Sequence, residues 1–74
     1  MHNNATSYDV ARLRRDIVEA GWLPIDLARR AKVSHMTVSR FLSGERQTPR
    51  TAKKLAAALG FSIRRYIVSS EAVA

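Results

Sequence analysis

No cysteine occurs in the sequence, so neither a disulfide nor a thiolate metal site can staple the fold, and packing alone must hold it. That suits a reducing compartment, and the expected location is the cytoplasm. Long apolar runs are missing as well. None approaches the roughly 20 residues of a membrane span, and MHNNATSYD has neither the basic start nor the apolar centre of a signal peptide. Glycine and proline are scarce, at 3 and 2 residues, which excludes a low-complexity chain and makes each one a marker of a particular stop or start. Acids are few, 6 against 13 Lys plus Arg. Asp9, Asp16, Glu19 and Asp26 are scattered, no Ser-His-Asp or Cys-His set can be assembled, and there is no Gly-rich phosphate loop. An enzyme is therefore not expected, nor is any cofactor or metal; His35, with no Cys or carboxylate beside it, is not a metal ligand.

What is present is a concentrated positive charge. The net charge is +7, and residues 29–65 hold ten basic residues against the single acid Glu45, while the segments on either side are each net −1. One part of the molecule is a cation, which suits a polyanionic partner such as nucleic acid. At 74 residues the chain has room for one domain with a modest core. We expect a domain over residues 8–68 flanked by flexible tails at 1–7 and 69–74.

The periodicity is helical throughout. Val10, Leu13, Ile17 and Ala20 recur at three and four spacing, predicting a first helix over Tyr8 to Ala20 that Gly21 stops, with Arg12, Arg15, Asp16 and Glu19 off its apolar face. Pro24 suits the first turn of a second helix, whose inner face is Leu27, Ala28 and Ala31. Lys32-Val33-Ser34 makes a tight turn, and Ser34 caps a third helix running from about His35 to Leu42 and ending at Ser43-Gly44. After the loop from Glu45 to Thr48, Thr48 caps and Pro49 opens a fourth helix with Ala52, Leu55, Ala56 and Leu59 on one face; Gly60 ends it and Phe61 folds back onto its last turn. Ser62 caps a short fifth helix, Ile63 to Val68, where Tyr66, Ile67 and Val68 either close the core or form a dimer seam, the core claiming at least two of them. The expected fold is all-α, with five short helices and no strand.

Residues 24–43 resemble the helix-turn-helix of bacterial DNA-binding proteins. That motif needs a small residue where its two helices touch, here Ala28, and apolar residues filling the angle between them, here Leu27, Ala31, Val33, Val38 and Phe41. A major groove is wide enough for one α-helix held there by a second. At about 100° per residue, with Val38, Phe41 and Leu42 turned inward, the third helix presents Met36, Ser39, Arg40 and Ser43 outward, and His35 stands free at its start. These suit base edges: Arg40 can give a bidentate pair to guanine, Met36 can touch a thymine methyl or serve as an adaptable surface or dimer contact, and His35 can donate or accept. The base-reading candidates are thus His35, Met36, Ser39, Arg40 and Ser43. Phosphate candidates lie at the two helix starts and the loop between: Ser34, Thr37, Arg46, Gln47, Thr48 and Arg50. Arg29, Arg30 and Lys32 lie on or after the second helix, and several of Lys53, Lys54, Arg64 and Arg65 read as solvated charge.

With one helix before the motif and two after it, and TPRTAKKLAAALGF following, residues 8–68 resemble the Cro and phage-repressor type, the XRE family. The resemblance implies a lambda-repressor-like helix-turn-helix domain, sequence-specific binding to double-stranded DNA as a homodimer, and a role as a small transcriptional regulator, by repression or otherwise. VSHMTVSRFLSG is also similar to the lactose-repressor headpiece, in which the two residues after the Ser and the later Arg read bases; His35, Met36 and Arg40 align with them. Two positions depart from the family pattern: Lys32 stands where the turn usually has Gly, and Leu23 and Pro24 stand where a polar cap and Gln often open the second helix. The alternative function is a protein-interaction module, such as an antitoxin-like or regulatory partner, built on the same scaffold.

Overall fold

The computed structural model describes residues 7–68. Within them lie four α-helices, α1 (Val10–Glu19), α2 (Pro24–Ala31), α3 (His35–Ser43) and α4 (Pro49–Leu59), and a 3-10 turn, Ile63–Tyr66. A two-residue strand β1 (Ser7–Tyr8) pairs antiparallel with β2 (Ile67–Val68), Ser7 opposite Val68 and Tyr8 opposite Ile67.

Local chemistry sets the boundaries. Asp9 caps α1, its carboxylate accepting the Arg12 N–H at 2.9 Å. Ser34 caps α3 by accepting the Thr37 N–H at 3.0 Å, and Thr48 caps α4 by accepting the Thr51 N–H at 3.2 Å. Pro24 and Pro49 occupy first helical positions, where a missing N–H leaves no bond unmade. Lys32 ends α2 in the left-handed conformation, at φ 60°, the one non-glycine to do so among the described residues. The position that usually holds Gly in this motif therefore does need glycine's geometry.

The core gathers Leu13 and Ile17 of α1, Leu27, Ala28 and Ala31 of α2, Val38, Phe41 and Leu42 of α3, Ala52, Leu55 and Ala56 of α4, and the rings of Tyr8 and Tyr66; Val10, Val33, Leu59 and Ile63 pack against its edge. Helix α3 packs on both α2 and α4. Tyr8 meets Phe41 with ring centroids 5.3 Å apart, so β1 backs α3 directly.

The structure corrects five expectations. Helix α1 begins at Val10, because Tyr8 is in β1 and Asp9 is the cap. Ser7, assigned to the N-terminal tail, is paired with Val68; the rest of both expected tails lies outside the described residues. The fifth helix is a single 3-10 turn, which Ser62 caps as expected, followed by β2: the β-branched Ile67 and Val68 take extended backbone and pair with β1. Of Tyr66, Ile67 and Val68 only Tyr66 enters the core, Ile67 and Val68 remaining 40% and 45% exposed. Finally, the expected inner face of α1 is shifted: Ala20 is exposed and Asp16 is buried.

Asp16 is held by a network that closes the molecule. Arg65 donates to its two carboxylate oxygens from Nε at 2.7 Å and Nη2 at 3.0 Å, and the Tyr66 hydroxyl donates at 2.6 Å. The Arg65 bonds hold the Asp16 carboxyl below its ordinary range, with the Tyr66 bond adding to them and burial opposing. Burial, with the Asp16 charge behind it, raises the Tyr66 phenol. The Arg65 guanidinium also lies over the Phe61 ring, 4.2 Å from its centroid. Arg65 is thus a structural residue rather than solvated charge.

Candidate nucleic-acid interface

The turn between α2 and α3 is bonded through its backbone, Lys32 N–H to the Arg29 carbonyl at 3.2 Å and Val33 N–H to the Ala28 carbonyl at 3.0 Å. At the start of α3 the Ser34 and Thr37 hydroxyls lie 2.8 Å apart and share a hydrogen bond. Helix α3 then divides into two faces. Val38 and Phe41 are at most 1% exposed and Leu42 is buried beside them. His35, Met36, Ser39, Arg40 and Ser43 all face solvent. Met36, near the start of that polar face, is an apolar side chain left 57% exposed.

The end of α3 is pinned to the following loop. Gly44 takes φ 84°, and its N–H reaches the Phe41 carbonyl at 3.1 Å. The Arg46 N–H bonds the Arg40 carbonyl at 3.2 Å, and the Gln47 amide Nε2 donates to the Phe41 carbonyl at 2.9 Å. The Ser43 hydroxyl donates to the Arg40 carbonyl at 3.1 Å and accepts from the Glu45 N–H at 3.3 Å. These bonds satisfy carbonyls that a helix end leaves open, and they set where Arg46 projects. Ser43 and Gln47, both named from the sequence, are therefore engaged with the chain itself.

Between α3 and the start of α4 is an open groove of about 490 Å³ lined by Thr37, Arg40, Arg46, Thr48, Arg50 and Thr51. It brings together one base-reading candidate and four of the phosphate candidates. Three guanidinium groups and three hydroxyls around the N-terminal end of α4 form a surface suited to anionic oxygens. The Thr48 hydroxyl donates to that of Thr51 at 3.0 Å, leaving Thr51 as the outward donor. Thr51 was not a sequence candidate, although T-P-R-T, a cap with a hydroxyl three residues on, carries the signal for it. Ser34 and Gln47 lie outside the lining of this groove.

The start of α2 differs. The Leu23 N–H is taken by the Asp26 carboxylate at 2.8 Å, so negative charge occupies the helix N-terminus where a phosphate would otherwise sit. Of the basic residues near α2, Arg29 pairs with Asp26 at 3.8 Å and Arg30 lies over the Trp22 ring, 4.4 Å from its centroid. Arg29 nevertheless stays largely in solvent, its side chain 72% exposed. Among the described residues, no group of His, Cys, Asp or Glu side chains is arranged to hold a metal ion, and no helix is long and apolar enough to cross a membrane.

A family model described as helix-turn-helix matches residues 12–66, from within α1 to the end of the 3-10 turn. No curated protein matches the chain.

Proposed function

The chain belongs to the helix-turn-helix family of the Cro and phage-repressor type, a DNA-binding family, and from that premise we propose that it reads double-stranded DNA by laying α3 in the major groove. One observation carries the reading: the polar face of α3 is open along its length and runs into an arginine-lined groove, while its apolar face is sealed in the core. In this account His35, Met36, Ser39 and Arg40 meet base edges, with Ser43 at the end of the same face. The DNA backbone crosses the groove, where Arg46, Arg50, Thr37 and Thr51 meet phosphate, with Thr48 acting by holding the Thr51 hydroxyl and Ser34 at the start of α3. Gln47 acts by holding the loop. Phosphates supply affinity and the base face supplies choice.

The protein works as a homodimer on two half-sites about one helical turn, roughly 34 Å, apart, and regulates transcription in the cytoplasm. Competitive titration of Arg40→Ala and Arg46→Ala at several salt concentrations tests the assignment. Arg40→Ala loses about 1–3 kcal/mol of discrimination at one base pair, whereas Arg46→Ala weakens all duplexes alike and lowers the salt slope by about one unit. Equal losses on selected and random DNA for Arg40→Ala would contradict it. Exposed Ile67 and Val68 favour a second reading, a protein-interaction module; that reading expects no enriched sequence when bound duplexes are selected from a random pool.

A further inference from the structure

Glu45 is the single acid among residues 29–65, and it stands at the end of the face assigned to base reading. Its position is built rather than incidental. The Glu45 N–H bonds the Ser43 hydroxyl at 3.3 Å, and the flanking Gly44 and Arg46 amides bond carbonyls of α3 at 3.1 and 3.2 Å. From this anchored backbone the side chain turns back to α3, bringing Oε2 within 3.9 Å of the Arg40 Nε. Both side chains are largely exposed, 49% for Arg40 and 66% for Glu45, so the pair adds little to stability. The backbone is fixed while the carboxylate stays in solvent beside Arg40, so its effect is felt by what approaches this end of α3.

Two effects follow from a negative charge at this point. Any register that brings a phosphate against the end of α3 meets a like charge, which penalises non-specific binding. In the correct register Arg40 faces guanine, and the carboxylate is either turned to solvent or accepts from a cytosine amino group, the pairing chemistry open to Glu in the major groove. The carboxylate thus weakens wrong complexes more than the right one, which is how repulsive elements create specificity. We propose that Glu45 is a specificity-determining residue whose charge excludes phosphate from the base-reading end of α3. This rests on the DNA-reading role argued above.

The test compares Glu45→Gln with Glu19→Gln, which removes the same charge on α1, for binding to a duplex selected from a random pool and to random duplex, at low and moderate salt. A surface charge facing a phosphate changes binding by roughly two- to fivefold at moderate salt, and by more as salt is lowered. Glu45→Gln is expected to tighten random-duplex binding by about threefold, with no matching gain on the selected duplex, so that the ratio between them falls. Glu19→Gln is expected to leave that ratio unchanged. An unchanged ratio for Glu45→Gln, or one that Glu19→Gln reproduces, would overturn the role of Glu45 alone. Failure of the unaltered protein to bind any duplex would overturn the proposed function and this inference with it.

Discussion

Replacing Asp16 by Asn keeps the shape of the side chain and removes its charge, so it isolates what the buried carboxylate does. Asp16 is 5% exposed and accepts two hydrogen bonds from Arg65 and one from Tyr66. Breaking a fully buried ion pair costs about 3–5 kcal/mol. Here the Arg65 side chain is 34% exposed and can regain water, so the loss is discounted to about 2 kcal/mol. For a domain of this size that lowers Tm by roughly 8–16 °C. Thermal melts followed by circular dichroism would measure it. The pH dependence supplies an independent check. Because the folded pKa of Asp16 is depressed, its contribution is fully present above the unfolded value of about 3.9 and is lost as pH falls through the lower folded value. The gap between the unaltered protein and Asp16→Asn should therefore be constant from about pH 7 to pH 5 and close below about pH 4. Equal melting temperatures at neutral pH, or a gap that does not narrow in acid, would refute the reasoning.

Phe41→Ala removes a side chain that is 1% exposed and packed on Tyr8, and should lose about 3–5 kcal/mol. That is a large share of the roughly 4–11 kcal/mol expected for the whole domain; an unchanged urea midpoint would show that α3 is turned otherwise. Lys32→Gly relieves the left-handed backbone at φ 60° and should gain about 0.5–1 kcal/mol after the added freedom of the unfolded chain is subtracted, raising the melting temperature. A fall in melting temperature would count against strain at that turn.

What could be read from the sequence was local. Ser34, Thr48, Pro24, Pro49 and Gly44 act on backbone groups within a few residues, so the helix starts and the orientation of α3 followed from them and from the spacing of Val38, Phe41 and Leu42. What escaped depends on distant partners. Arg65 lies 49 residues from Asp16, and only the three-residue step from Leu13, which puts Asp16 in the inward register, hinted that the carboxylate is buried. The pairing of Ile67 with Tyr8 is equally remote, and it turned a helical expectation into a strand. In the candidate site, Arg40, Arg46 and Arg50 were legible as exposed donors next to helix ends, and Thr48 as a helix cap. The inward turn of Gln47 and the placement of Arg30 over Trp22 follow from the fold around them.

Methylation interference on a duplex that the protein selects tests most directly whether the outer face of α3 reads the major groove. Methyl groups on guanine N7 lie in the major groove and those on adenine N3 in the minor groove. Binding should be blocked by guanine N7 methylation in each half-site, and Arg40→Ala should lose that sensitivity at one guanine per half-site. Interference confined to adenine N3, or an unaltered N7 pattern in Arg40→Ala, would contradict the placement of α3 in the major groove.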